Sequence, residues 1–135
     1  NDGEARQLSG EVSLVKAAKG IMAMVPQYLI IKKGEHGALL FHQNSVFFAP
    51  ALPLEDVIDP TGAGDTFAGG FTGYLAKVKD ISFDSMKTAI IVGSAMASFC
   101  VEKFGPERLK EITADDITAR INEFVQLVNF DIDLI

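Results

Sequence analysis

The sequence predicts an α/β layered domain with a mixed sheet, and three observations lead there. One stretch with helical spacing precedes three short apolar, β-branched segments, and three helical segments follow them. Glycine- and proline-bearing turns separate these segments. Of the 135 residues 48% are hydrophobic, enough for a sizeable core, while the 22% that are charged suit an ordinary soluble protein of one domain.

Glu11 to Val25 carries Val12, Val15, Ala18, Ile21 and Val25 at helical intervals, and Pro26 stops the pattern. Tyr28 to Lys33, "YLIIKK", reads as a buried strand. The Gly34–Gly37 turn leads to a second strand, "ALLFH" at 38–42, and Gln43-Asn44 to a third, "SVFFAP" at 45–50, which together read as a β-meander of two hairpins. Residues 51–60 hold Pro53 and Pro60 and read as an extended loop, with a short strand around Val57-Ile58. A helix is predicted over Ala63 to Val78. The next is capped by Ser82 or Asp84, runs to Phe104 and ends at Gly105-Pro106; the last, capped by Thr113, runs to Val128.

Charge excludes some partners. With a formal net charge of −6 and no basic cluster, the chain lacks the positive field that nucleic acids and acidic membranes require. The 14-residue apolar run Thr88–Val101 is too short to span a bilayer and reads as a buried helix. A single cysteine, Cys100, forms no internal disulfide or zinc cluster, which fits a cytoplasmic setting. The chain opens at Asn1 without methionine or signal peptide and is expected to belong to a longer protein.

The stretch "DPTGAGDTFAGGF", residues 59–71, carries the chemistry. Neither a P-loop nor the dinucleotide fingerprint fits it: no lysine follows the glycines, and the third fingerprint glycine would fall on Phe67. What remains is a loop whose amides, from Gly62 to Asp65, converge at a helix N-terminus. Such a hole suits charge developing on a phosphoryl group. A carboxylate beside it can take the proton of an attacking alcohol, making Asp65 a general base. Spacing alone leaves a second reading equally open, in which Asp65 merely caps the helix.

Asp59-Pro-Thr-Gly-Ala-Gly-Asp65 followed by Thr66-Phe67-Ala68-Gly69-Gly70-Phe71 closely resembles the second signature of the ribokinase-like (PfkB) carbohydrate kinases. Asn1-x-x-Glu4 looks like that family's N-x-x-E motif, and Gly34-x-x-Gly37 like its turn near the ATP phosphates. The resemblance covers essentially the whole chain and implies the C-terminal portion of a three-layer, Rossmann-like sandwich. It implies that Asp65 is the base and that Gly62, Ala63 and Gly64 complete the anion hole. Asn1 and Glu4 would organise Mg2+, largely through water, Asp59 and Thr61 a monovalent cation such as K+, and Ala95–Gly105 would border the adenine. Gly34, Gly37, Gly64, Asp65 and Lys32 would contact ATP. Lys32 stands where the family often has threonine, and a solvated strand end is the favoured description of it. The family's acceptor site comes from an N-terminal half that would precede Asn1.

The implied function is phosphorylation of a hydroxyl on a small sugar, next a nucleoside, with a homodimer as a possible assembly. A kinase for a vitamin precursor, a nucleotide-binding module without catalysis, and a structural domain in which Asp65 only caps remain as competing readings. His36 and His42 lack the acid partners of a metal site; His36 reads as solvent-exposed and Cys100 as a small core residue. Gly69, Gly70 and Gly73 are expected to serve close packing against the sheet or room for nucleotide. Phe41, Phe47, Phe48, Phe67, Phe71 and Phe99 read as core. Glu111, Asp115 and Asp116 read as cap charges on the last helix.

Overall fold

Two helices, rather than the predicted one, open the chain in the computed structural model, which describes residues 1–133. α1 (Asp2–Ser9) begins with a capping box. The Asn1 side chain accepts the Glu4 amide at 2.9 Å, and the Glu4 carboxylate takes the Asn1 ammonium at 2.5 Å. α2 (Leu14–Met22) is shorter than the periodicity predicts. The Ser13 hydroxyl accepts the Lys16 amide at 3.4 Å, which leaves Glu11 and Val12 outside the helix. Its end follows from Pro26, whose ring conflicts with a helical carbonyl four residues earlier, at Met22.

The chain forms two compact units, Asn1–Ala51 and Leu52–Ile135. The first holds α1, α2 and a three-stranded sheet of β1 (Leu29–Lys32), β2 (Ala38–His42) and β3 (Ser45–Ala49), in the order β1-β2-β3. Both pairings are antiparallel, Leu29 opposite Phe41 and Ala38 opposite Ala49, as the meander expects, and the parallel pair that a mixed sheet needs is not found among the described residues. The turns explain it: residues 33–37 and Gln43-Asn44 are too short for the crossover of about a dozen residues that parallel neighbours need. Ala5, Ala18, Ile21, Ile31 and Phe41 form the core of this unit. Phe48 departs from the core reading and is 51% exposed on β3.

The expected strand at Val57-Ile58 does not form; the Ile58 amide donates to the Val101 carbonyl at 2.8 Å instead of to a neighbouring strand. The second unit holds α3 (Ala63–Val78), α4 (Phe83–Cys100), a short unpredicted α5 (Glu107–Glu111) and α6 (Ala114–Val128). Of the two candidate caps for α4, Ser82 serves, accepting the Ser85 amide at 3.3 Å. α4 ends at Cys100 rather than Phe104 because its last turn tightens, with the Glu102 amide reaching back to the Phe99 carbonyl at 3.1 Å. α6 starts from a capping box between Thr113 and Asp116. Glu111 is no cap charge: Lys103 reaches its carboxylate at 2.8 Å.

α3 and α4 pack through their glycines. A Cβ on Gly93 would sit 2.7 Å from the Phe67 carbonyl oxygen, and one on Gly70 would sit 2.8 Å from Met96 Cγ. The close packing expected of the α3 glycines is met, at Gly70, against α4. Gly69 and Gly73 meet nothing within 4 Å.

The far end of α4 carries a charged cluster. Glu102 accepts Arg108 Nε at 2.9 Å and Arg120 at 2.5 Å, and Arg120 also donates to Ser98 Oγ at 2.7 Å. The guanidinium carbons of Arg120 and Arg108 lie 4.0 Å and 5.3 Å from the Phe99 ring centroid. Burial alone would raise the Glu102 carboxyl, but hydrogen bonds from the two arginines outweigh it and hold the group below the usual glutamate range.

Two predictions follow from this packing. Gly93→Ala destabilises the protein by about 1–3 kcal/mol, since the backbone carbonyl it meets cannot yield. Gly73→Ala stabilises it by about 0.5–1 kcal/mol. Denaturant unfolding reads both. Glu102, with its folded pKa depressed, contributes stability above its unfolded pKa, and that contribution is lost as pH falls through the folded value. Glu102→Gln therefore makes the loss of stability on acidification below about pH 4.5 shallower than in the parent, in unfolding midpoints across pH.

Candidate active site

The loop before α3 is built by hydrogen bonds rather than by apolar burial. Asp59 folds back on itself, its Oδ1 accepting the Thr61 amide at 2.9 Å. The amide and hydroxyl of Thr61, with a further contribution from the Gly105 amide, hold the Asp59 carboxyl below the usual aspartate range. The Ile58 and Asp59 amides both donate to the Val101 carbonyl, at 2.8 and 3.3 Å. The Thr61 carbonyl accepts the Cys100 thiol at 3.6 Å. Cys100 is buried, as its helical neighbours suggest, but it also fixes this loop. No spacing rule links positions 39 apart, so the sequence carries no signal for that contact.

Gly62 then turns the chain into α3 at φ 81°, ψ −2°, a left-handed conformation that favours glycine. Gly62 is the N-cap and supplies no side chain, so α3 has no side-chain cap. Ala63 spends its amide on the Pro60 carbonyl at 3.2 Å, and the Thr66 amide on Gly62 at 2.9 Å begins the helical ladder. Among the described residues the amides of Gly62, Gly64 and Asp65 find no backbone or side-chain acceptor, so these three are the open donors, while the Ala63 amide is taken by Pro60. Asp65 lies inside the first turn of the helix, not at its cap, and its carboxylate is exposed without a hydrogen-bond partner among the described residues. The capping reading of Asp65 therefore fails. Gly69 and Gly73 follow it at successive four-residue steps, keeping that face of α3 free of side-chain bulk.

In the other unit, Lys32 ends β1 opposite Ala38, and a 3₁₀ turn over Gly34–His36 follows. The Lys33 amide reaches the Gly37 carbonyl at 2.8 Å. Gly37, at φ 82°, is obligatory: a Cβ there would lie 2.2 Å from the Ala49 carbonyl oxygen. His36 is exposed and stands 3.5 Å from Glu35. Asn1 and Glu4 lie together as the α1 capping box. Asn1, Glu4, Lys32, Gly34 and Gly37 thus belong to one unit, and Asp59, Thr61 and Gly62–Asp65 to the other.

These residues fit the groups expected of them to different degrees. The open amides at the start of α3 suit a phosphate oxygen. The exposed Glu4 carboxylate suits Mg2+ held through water. The Asp59 carboxylate is engaged by the turn, though a carboxylate has about four lone-pair sites and keeps capacity for a cation. No group of three or more histidine, cysteine or acidic side chains poised for a metal occurs among the described residues.

A family model described as pfkB family carbohydrate kinase matches residues 1–112. The chain is 34% identical over 107 residues to a ribokinase of Bacillus subtilis, covering 79% of this chain and 33% of that one. It is 39% identical over 77 residues to a cytidine kinase of Thermococcus kodakarensis, covering 55% of this chain and 27% of that one. Among solved structures, a fructokinase from Vibrio cholerae superposes with a TM-score of 0.78 at 21% identity, over 89% of this chain and 39% of the other, and shows a shared fold. An aminoimidazole riboside kinase from Salmonella enterica gives 0.75 at 29% identity, over 89% and 40%. The chain thus spans roughly a quarter to two fifths of the length of these relatives. No helix among the described residues is long and apolar enough to cross a membrane.

The left-handed turn is testable without any ligand. Gly62→Ala has room for its methyl, the nearest atom being Cys100 Sγ at 3.9 Å, so its cost is conformational, about 1–2 kcal/mol in denaturant unfolding. Gly62→Asn, which tolerates that region, costs less than half as much.

Proposed function

As the chain belongs to the pfkB family of carbohydrate kinases, we propose that it supplies the nucleotide-binding and catalytic part of an ATP-dependent kinase acting on a hydroxyl of a small sugar. The observation that carries this is the start of α3, where the open amides of Gly62, Gly64 and Asp65 and an unpartnered carboxylate, Asp65, share one exposed helix end. ATP presents its γ-phosphoryl group to the amides of Gly64 and Asp65, which stabilise the charge that builds on its oxygens. The Asp65 carboxylate accepts the acceptor's hydroxyl proton as that oxygen bonds to phosphorus and the bond to the leaving ADP breaks.

Gly34, Gly37 and Lys32 are proposed to approach the other phosphates. Asn1 and Glu4 would hold magnesium through water; when bound, that ion neutralises phosphate charge. Asp59 and Thr61 would serve a monovalent cation beside the hole. A nucleoside acceptor is the second reading, favoured by the 39% and 38% identity to a cytidine kinase and a nucleoside kinase.

Asp65→Asn in the intact protein is expected to lower turnover by about 10²–10⁴ while ATP affinity by calorimetry changes little. Near-normal turnover in that variant contradicts the assignment of Asp65. A panel of sugars and nucleosides assayed with the parent protein separates the two acceptor classes.

A further inference from the structure

The charged cluster at the end of α4 has no part in the chemistry above, yet it is joined to the catalytic loop through two residues. Ser98, Phe99 and Glu102 lie on the last turns of α4 and the tight turn after it; Arg108 comes from α5 and Arg120 from α6. Glu102 is the hub, since each carboxylate oxygen takes one arginine, Oε2 from Arg108 at 2.9 Å and Oε1 from Arg120 at 2.5 Å. Arg120, its side chain only 12% exposed, also rests over Phe99 and donates to Ser98. Interleaved with these anchors are the residues that grip the loop. Cys100 gives its thiol to the Thr61 carbonyl, and Val101 gives its carbonyl to the Ile58 and Asp59 amides. In sequence the order is anchor, anchor, grip, grip, anchor, from Ser98 to Glu102.

We propose that Glu102, clamped between Arg108 and Arg120, is a positioning residue that fixes the Cys100–Val101 grip on loop 58–62 and so sets where Gly62 starts α3 and where Asp65 stands. The inference rests on the reading of Asp65 as the catalytic base. Physically, a helix end whose last amides reach back three residues is prone to fray, and a side chain bonded to two other helices removes that freedom. Two guanidiniums in forked contact hold a carboxylate more rigidly than an exposed pair does. Loss of the clamp lets Val101 move, and the amides of Ile58 and Asp59 lose their common acceptor.

Amide hydrogen exchange on the intact protein, parent against Glu102→Gln, reads the coupling without any substrate. The Ile58 and Asp59 amides are expected to exchange about tenfold faster in the variant, while amides within α6 keep their protection. In parallel, kcat with magnesium-ATP and D-ribose or cytidine falls about tenfold with the acceptor KM unchanged. Unaltered exchange at Ile58 and Asp59 overturns the proposal, as does acceleration spread evenly over the Leu52–Ile135 unit, or an unchanged kcat. Should Glu102→Gln fail to fold, Arg108→Gln removes one arm only and is judged by the same localised pattern. A parent protein that transfers no phosphate to any acceptor refutes the proposed function instead, and the exchange comparison still decides whether Glu102 holds the loop.

Discussion

A single carbonyl oxygen, that of Val101, accepts the amides of both Ile58 and Asp59, and the candidate site is built outward from this junction. It stops residues 57–58 from pairing as a strand and lays the chain against the end of α4. The Asp59 side chain then tightens the turn, Cys100 holds the Thr61 carbonyl, and Gly62 can enter α3 only through the left-handed region. The position of Asp65 is a consequence of these steps. Removing any one of them shifts a helix start, which matters far more to a phosphate site than to helix stability.

That helix start is left open, as among the described α-helices only that of the short α5 also is. α1, α2, α4 and α6 are each capped by a side chain, from Asn1, Ser13, Ser82 and Thr113. α3 has none, and forgoes about 1 kcal/mol that a serine or aspartate at the cap would contribute. Gly69, Gly70 and Gly73 weaken the same helix further. Part of this is offset by the close approach of α3 to α4, where Gly93 accepts the Phe67 backbone and Phe67 and Phe99 are buried. A helix that forgoes a side-chain cap at its N-terminus while packing closely against α4 through Phe67 and Gly70 is suited to binding an anion at that end.

The sequence was most legible where the governing interactions are local. α3 over Ala63–Val78, β2 over Ala38–His42 and α6 from Thr113 to Val128 follow from glycine, strand alternation and a capping box, all within a few residues. α1 was missed because eight mostly polar residues show little periodicity, and its start depends on the Asn1–Glu4 box, whose two residues also match the motif expected to organise a metal. The antiparallel meander of β1, β2 and β3 was legible because its short turns leave no other pairing; only the expectation of a mixed sheet went further than these strands. Within the site, the glycine turn and Asp65 were readable from order and spacing. The diversion of the Ala63 amide to Pro60, the Cys100 contact and the Glu102 clamp were not, since they join positions that only the fold brings together.

The central claim is that the open amides at the start of α3 receive a phosphate group beside Asp65. Backbone amide resonances recorded during titration of the intact protein with magnesium and a non-hydrolysable ATP analogue test it most directly. The account predicts that the Gly64 and Asp65 amides shift strongly downfield as the nucleotide saturates, as donors do on gaining a charged acceptor. Binding that leaves those two resonances unmoved while others shift would contradict it.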